Sequence, residues 1–153
     1  MRLAELRERS ALLQALSNTE VGLFESAATE IRVPAGDVLF EEDGAADVFY
    51  IVVEGKIGLE LTSPGKEPIV IQTLGPGDLV GVSWLFPPHR WNWRALAIVD
   101  SELAAFDATT IRSEMEQNRD LAWEVLSVVS GEVVDRLHRT RVQLLDLYRG
   151  GSR

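Results

Sequence analysis

Three of the four tryptophans of this 153-residue chain fall in one short stretch, GVSWLFPPHRWNWRA at 81–95. Arg90 and Arg94 stand among them. Guanidinium groups present planar forks of donors that match a carboxylate or phosphate bidentately, and indole rings stack on flat molecules. Trp84, Trp91, Trp93, Arg90 and Arg94 therefore carry the chemistry of a pocket for a flat or anionic ligand. The same residues admit a plainer arrangement. In it the tryptophans fill the space a ligand would take, and the arginines pair with nearby acids.

Other chemistries are poorly supplied. The chain has no cysteine, which excludes disulfides, thiolate metal sites and cysteine-ligated clusters. His89 and His138 are its two imidazoles and do not make a metal-ligating cluster. No Ser–His–Asp pattern or nucleophile elbow is present, so the chain is read as a non-enzyme. Fifteen basic against twenty-four acidic residues give a formal charge of −9, a field that repels nucleic acid unless cations cluster. The densest cluster, RLHRTR at 136–141, reads as the solvated face of a helix, and no direct nucleic-acid contact is expected. No apolar run is long enough to span a bilayer. MRLAELRERSALL alternates charged and apolar residues from the start, so the expectation is a cytoplasmic protein without membrane contact.

The elements that must position the 81–95 stretch separate by periodicity. Residues 2–27 have helical spacing, with Leu3, Leu6, Leu12, Leu13 and Leu16 forming a stripe. SNTE at 17–20 breaks it and starts a second short helix capped by Ser17 or Asn18. From 28 to 107 the pattern turns to short β-branched and aromatic runs divided by PAGD, EDGAAD, EGK, SPGKE and GPGD turns. TEIRV, DVLFEE, VFYIVVEG, KIGLELT, PIVIQTL, DLVG, RALAIV and ELAAF are the strand candidates, and about eight strands so spaced predict a sandwich or jelly roll. Helix returns at DATTIRSEMEQNRD, and residues 119–148 can run as one helix of about 45 Å that stops at Gly150–Gly151. Leu121, Val125, Val128, Val129, Val133, Leu137, Leu144 and Tyr148 recur along it at three- and four-residue steps. That stripe either meets a second copy of itself as a coiled-coil-like seam or folds back on its own core. The expected class is α+β: a jelly roll flanked by N-terminal helices and a long C-terminal helix.

This order of elements, with VPAGDVLFEEDGAADVFYIVVEGKIGLEL at 33–61, LGPGDLVG at 74–81 and DSELAAF at 100–106, resembles the cyclic nucleotide-binding domain of the catabolite activators and the cyclic-nucleotide-gated kinases and channels. Four glycine motifs in the family's order carry the likeness over roughly residues 10–148. The resemblance implies one domain over 1–153: N-terminal helices at 1–27, a jelly roll at 28–107 with a phosphate cassette at 77–95, and C-terminal helices at 108–149. It also implies a sensor whose chain stops at Arg153 without the activators' helix-turn-helix, and a homodimer through the C-terminal helix. The candidate ligand is cyclic AMP, cyclic GMP or another small anion.

In the family's cassette a glycine and a short helix N-terminus offer N–H groups to the cyclic phosphate, a glutamate accepts from the ribose hydroxyl, and an arginine neutralises the phosphate. Placed on this chain, the glycine matches as Gly81, with a short helix able to start at Val82 or Ser83. Val82 stands at the glutamate position and cannot accept a hydrogen bond. Trp91 falls at the arginine position and Asn92 at the small residue after it. Arg90 lies one residue early and Arg94 three late, so Arg90 reaches the pocket only through a one-residue shift in the loop bearing Pro87 and Pro88. Losing the carboxylate alone weakens binding about tenfold to a hundredfold. Thr140 falls where activators touch the base with a threonine, followed by Arg141 instead of serine. The candidate site is therefore Gly81, Val82, Ser83, Trp84, Arg90, Trp91, Asn92, Arg94 and Thr140. Two readings remain: a ligand-sensing module that signals through the C-terminal helix, or an interaction module whose pocket is filled by tryptophan.

Overall fold

A computed structural model describes residues 3–150 of the chain. The expected leucine stripe is buried in full, at Leu3, Leu6, Leu12, Leu13 and Leu16. It is carried by two helical turns rather than one helix, α1 (Leu3–Arg7) and α2 (Ala11–Gln14), because Ser10 interrupts the chain and caps α2 by accepting from the Leu13 amide. α3 (Asn18–Ser26) begins at a capping box, with Ser17 and Glu20 each accepting the other's backbone N–H.

All eight strand candidates form: β1 (Ala28–Val33), β2 (Val38–Phe40), β3 (Val48–Glu54), β4 (Ile57–Leu61), β5 (Ile69–Leu74), β6 (Leu79–Val80), β7 (Arg94–Ala97) and β8 (Ser101–Asp107). They pair antiparallel into two four-stranded sheets, β1-β8-β3-β6 and β2-β7-β4-β5. This is a jelly roll, the fold class that strand spacing predicts. Between the sheets lies a core of aliphatic residues, among them Val52, Ile57, Leu59, Val80, Ala95 and Leu103.

The second core lies between the β1-β8-β3-β6 sheet and the helices. Phe49 stacks on Phe106 (4.9 Å) and on Trp84 (3.9 Å), and Phe24 from α3 meets Phe106 edge-on at 5.8 Å. α4 (Ala108–Gln117) is capped by Asp107, which accepts from the Thr109 and Thr110 amides. Asn118 ends α4, and its side chain accepts from the Leu121 amide to start α5 (Arg119–Gly150). Gly151 of the expected stop, like Arg2 at the expected helix start, lies outside the described residues.

The long apolar stripe of α5 divides. Leu121, Val125 and Val129 are buried against the helix-side core with Val128 partly buried beside them, whereas Val133, Leu137, Leu144 and Tyr148 are exposed. Folding back on the core describes its first half. The apolar side chains of its second half stand exposed.

Candidate functional site

The cassette leaves the roll after β6. Gly81 holds φ +79°, a conformation that glycine adopts without a Cβ penalty. No helix follows it: Leu85 and Phe86 donate to the Val82 and Ser83 carbonyls as two successive turns, at 3.1 and 3.4 Å. The expected short helix cannot continue because Pro87 and Pro88, joined by a cis peptide bond, supply no backbone N–H. The return limb is zipped against the β2–β3 connection. Ala46 N–H donates to His89 O (2.8 Å), Trp91 N–H to Gly44 O (2.9 Å) and Asp43 N–H to Trp91 O (2.7 Å).

This zipper sets where the Trp91 ring goes. It is 4% exposed and lies parallel to Phe40, with centroids 3.9 Å apart and planes at 11°. It also borders Gly81: a Cβ there would run into the ring at Cζ3 and Cε3. Gly81, Trp91 and Phe40 therefore lie in one contact cluster at the start of the cassette.

The other tryptophans go elsewhere. Trp84 is fully buried on the helix side against Phe49, its indole N–H without an acceptor among the described residues. Trp93 packs half-buried against the inter-sheet core. Ser83 is buried, Val82 is half-buried and Asn92 is exposed.

The arginines are also engaged and apart. Arg90 is exposed and its Nη1 donates to Asp43 O at 2.8 Å. Arg94 opens β7, and its Nε lies 3.6 Å from a Glu41 carboxylate oxygen and 3.8 Å from one of Glu60, which is itself buried. Thr140 is exposed and donates within its own helix to Arg136 O at 2.9 Å.

Two cations that sequence reasoning passed over do reach the cassette. Arg136, read as part of a solvated helix face, is half-buried, and its Nη2 donates to Leu79 O at 2.8 Å. Burial pushes its guanidinium below the usual range, while Glu132 and Asp78 act to keep it charged. Its burial has a simple helical cause: Arg136 lies two turns beyond Val129 and so shares the face that points at the roll. Arg112 on α4 donates from Nη1 to Trp84 O (2.6 Å) and to Ala46 O (3.2 Å). Nothing in its local pattern marked it.

Two antiparallel four-stranded sheets, a loop between β6 and β7 and a long C-terminal helix define a jelly-roll domain flanked by helices. The chain belongs to the cyclic nucleotide-binding domain family, whose model matches residues 30–118. Over 143 residues it is 23% identical to the CRP-like cAMP-activated global transcriptional regulator of Mycobacterium tuberculosis, covering 94% of this chain and 62% of that protein. It therefore spans less than two thirds of that relative's length. Among solved structures, a putative cyclic nucleotide-binding protein from Geobacter metallireducens superposes with a TM-score of 0.80 at 24% identity, over 90% of this chain and 99% of that one. The N-terminal domain of a transcriptional regulator from Streptomyces coelicolor gives 0.68 at 26% identity, over 91% and 94% of the two chains.

Proposed function

We propose that this chain is a non-catalytic regulatory module of the cyclic nucleotide-binding family whose cassette is occupied by its own Trp91, and which works through the exposed half of α5. The observation that carries this reading is the buried Trp91 ring, stacked on Phe40 and bordering Gly81. A ligand entering there must displace a buried tryptophan. Truncating such a side chain costs about 3–5 kcal/mol, equivalent to roughly two to four orders of magnitude in affinity. Val82 adds the loss of a ribose acceptor, and Arg90 and Arg94 already have partners in the β2–β3 connection and the roll. Along α5, Leu126, Val133, Leu137, Leu144 and Leu147 repeat at coiled-coil spacing and stand exposed, which suits a second copy of the chain. In this reading the module acts in the cytoplasm, without direct contact with nucleic acid or membrane. The net charge of −9 supports the absence of nucleic-acid contact.

A second reading keeps the sensor. It is favoured by Gly81, which retains the left-handed conformation although the helix behind it is gone, and by the cAMP-activated relative. Trp91 would then swing out when a small anionic ligand arrives.

Titration calorimetry with cyclic AMP and cyclic GMP on nucleotide-stripped protein separates the two. The expected result is no heat with the native chain. Micromolar binding that weakens in Arg90→Ala or Arg94→Ala would establish the sensor instead.

A further inference from the structure

Beyond Val129 no side chain of α5 is fully buried, yet the helix continues for some twenty residues to Gly150. Its course over that length depends on few attachments to the roll. Arg136 is the last half-buried side chain on it, and its Nη2 ends on Leu79 O at the entry to the cassette. Gln143 adds one long bond, 3.5 Å, to Ile71 O on β5. At the other end of the cassette turn, Trp84 O receives Arg112 Nη1 at 2.6 Å, while the same nitrogen reaches Ala46 O and Nη2 lies 3.9 Å from the Asp47 carboxylate.

Both carbonyls flank Gly81, and the two guanidiniums come from two different C-terminal helices. Hydrogen bonds with a charged donor are the stronger kind, more so where water is partly excluded. A Gly81 turn tied on both sides to α4 and α5 cannot change shape without straining those bonds.

We propose that Arg112 and Arg136 are positioning residues that latch α4 and α5 to the two sides of the Gly81 turn of the cassette, so that cassette shape and the course of α5 form one linked unit held by the chain itself. The proposal rests on the reading of a cassette closed by Trp91, but its test uses no nucleotide. A calorimetric surprise would leave the latch to be judged on its own.

The test is amide hydrogen exchange on the full chain at one protein concentration, native against Arg136→Met and Arg112→Met. Arg136→Met keeps the apolar stem and removes the donors. Exchange over 79–86 and 132–145 is expected to quicken about tenfold to a hundredfold, with β3 and β8 unchanged. Arg136→Lys, which can still donate to one carbonyl, restores part of the protection. The decisive arm is Arg112→Met: although the residue sits on α4, its loss must also quicken exchange at 132–145 through the cassette. If that stretch of α5 keeps native protection, or if all strands lose protection equally, the latch is refuted. Should Arg112→Met fail to fold, Arg112→Lys, which cannot span both Trp84 O and Ala46 O, takes its place with the same criteria.

Discussion

Gly81 and Trp91 act on each other directly, and that coupling is measurable. Gly81→Ala forces an L-residue into φ +79°, worth about 1–3 kcal/mol, and drives a methyl into the indole ring. Trp91→Ala removes a buried ring stacked on Phe40 and is expected to cost about 3–5 kcal/mol. In the double variant the clash has no partner, so the summed loss in urea denaturation should be smaller than the two single losses together. Strict additivity would show that the ring does not rest on Gly81. Tyr50 offers a second test at this scale. Burial raises its hydroxyl above the ordinary value of 10.0, so the folded state prefers the neutral phenol. That contribution is intact below pH about 10 and is lost as pH rises through the folded-state value. Tyr50→Phe should flatten the alkaline fall of the urea midpoint.

At the scale of elements, α5 behaves as two helices in one. Its first half is core: Val129→Ala removes two buried methyl groups and should lower stability by about 2 kcal/mol. Its second half contributes little to the single chain, so Leu137→Ala should change the stability of the isolated protomer by less than about 0.5 kcal/mol. Thermal melts of dilute protein distinguish the two substitutions. The capping box of α3 is a further local prediction: Ser17→Ala should cost about 1 kcal/mol in the same melts. The start of α3 and the apolar stripe of α5 were legible because they follow from cap chemistry and periodicity; the division of the stripe into a buried and an exposed half was not, because it depends on how far the roll extends beside the helix. The interruption at Ser10 was not, since four-residue α2 depends on what packs against it.

At the scale of the whole molecule, an acidic chain presents an unpaired apolar helix face. Trp123 is 72% exposed, Leu147 74% and Tyr148 82%, far beyond scattered surface apolar residues. A second copy covering that face would make the melting temperature rise with protein concentration. Leu137→Glu with Leu144→Glu should abolish that dependence and leave a monomer in sedimentation analysis. A concentration-independent melt in the native chain would remove the homodimer from the proposed function.

The eight strands, their turns, the two-part helical frame and the family likeness were all determined by the sequence, because glycine placement, period-two runs and helical stripes are local signals. The cassette was only partly legible. Gly81, Val82 and Trp91 could be aligned, but alignment left open whether the tryptophans surround a ligand or replace it. Where the rings and guanidiniums lie is set by contacts distant in sequence: the 43–46 segment that zips the return limb of the loop, Phe40 that receives the ring, and Glu41 and Glu60 that face Arg94. Arg112 and Arg136 belong to the same class. A hydrogen bond from a helix to a carbonyl many residues earlier depends on where two elements pack, and no pattern along the chain encodes that by itself.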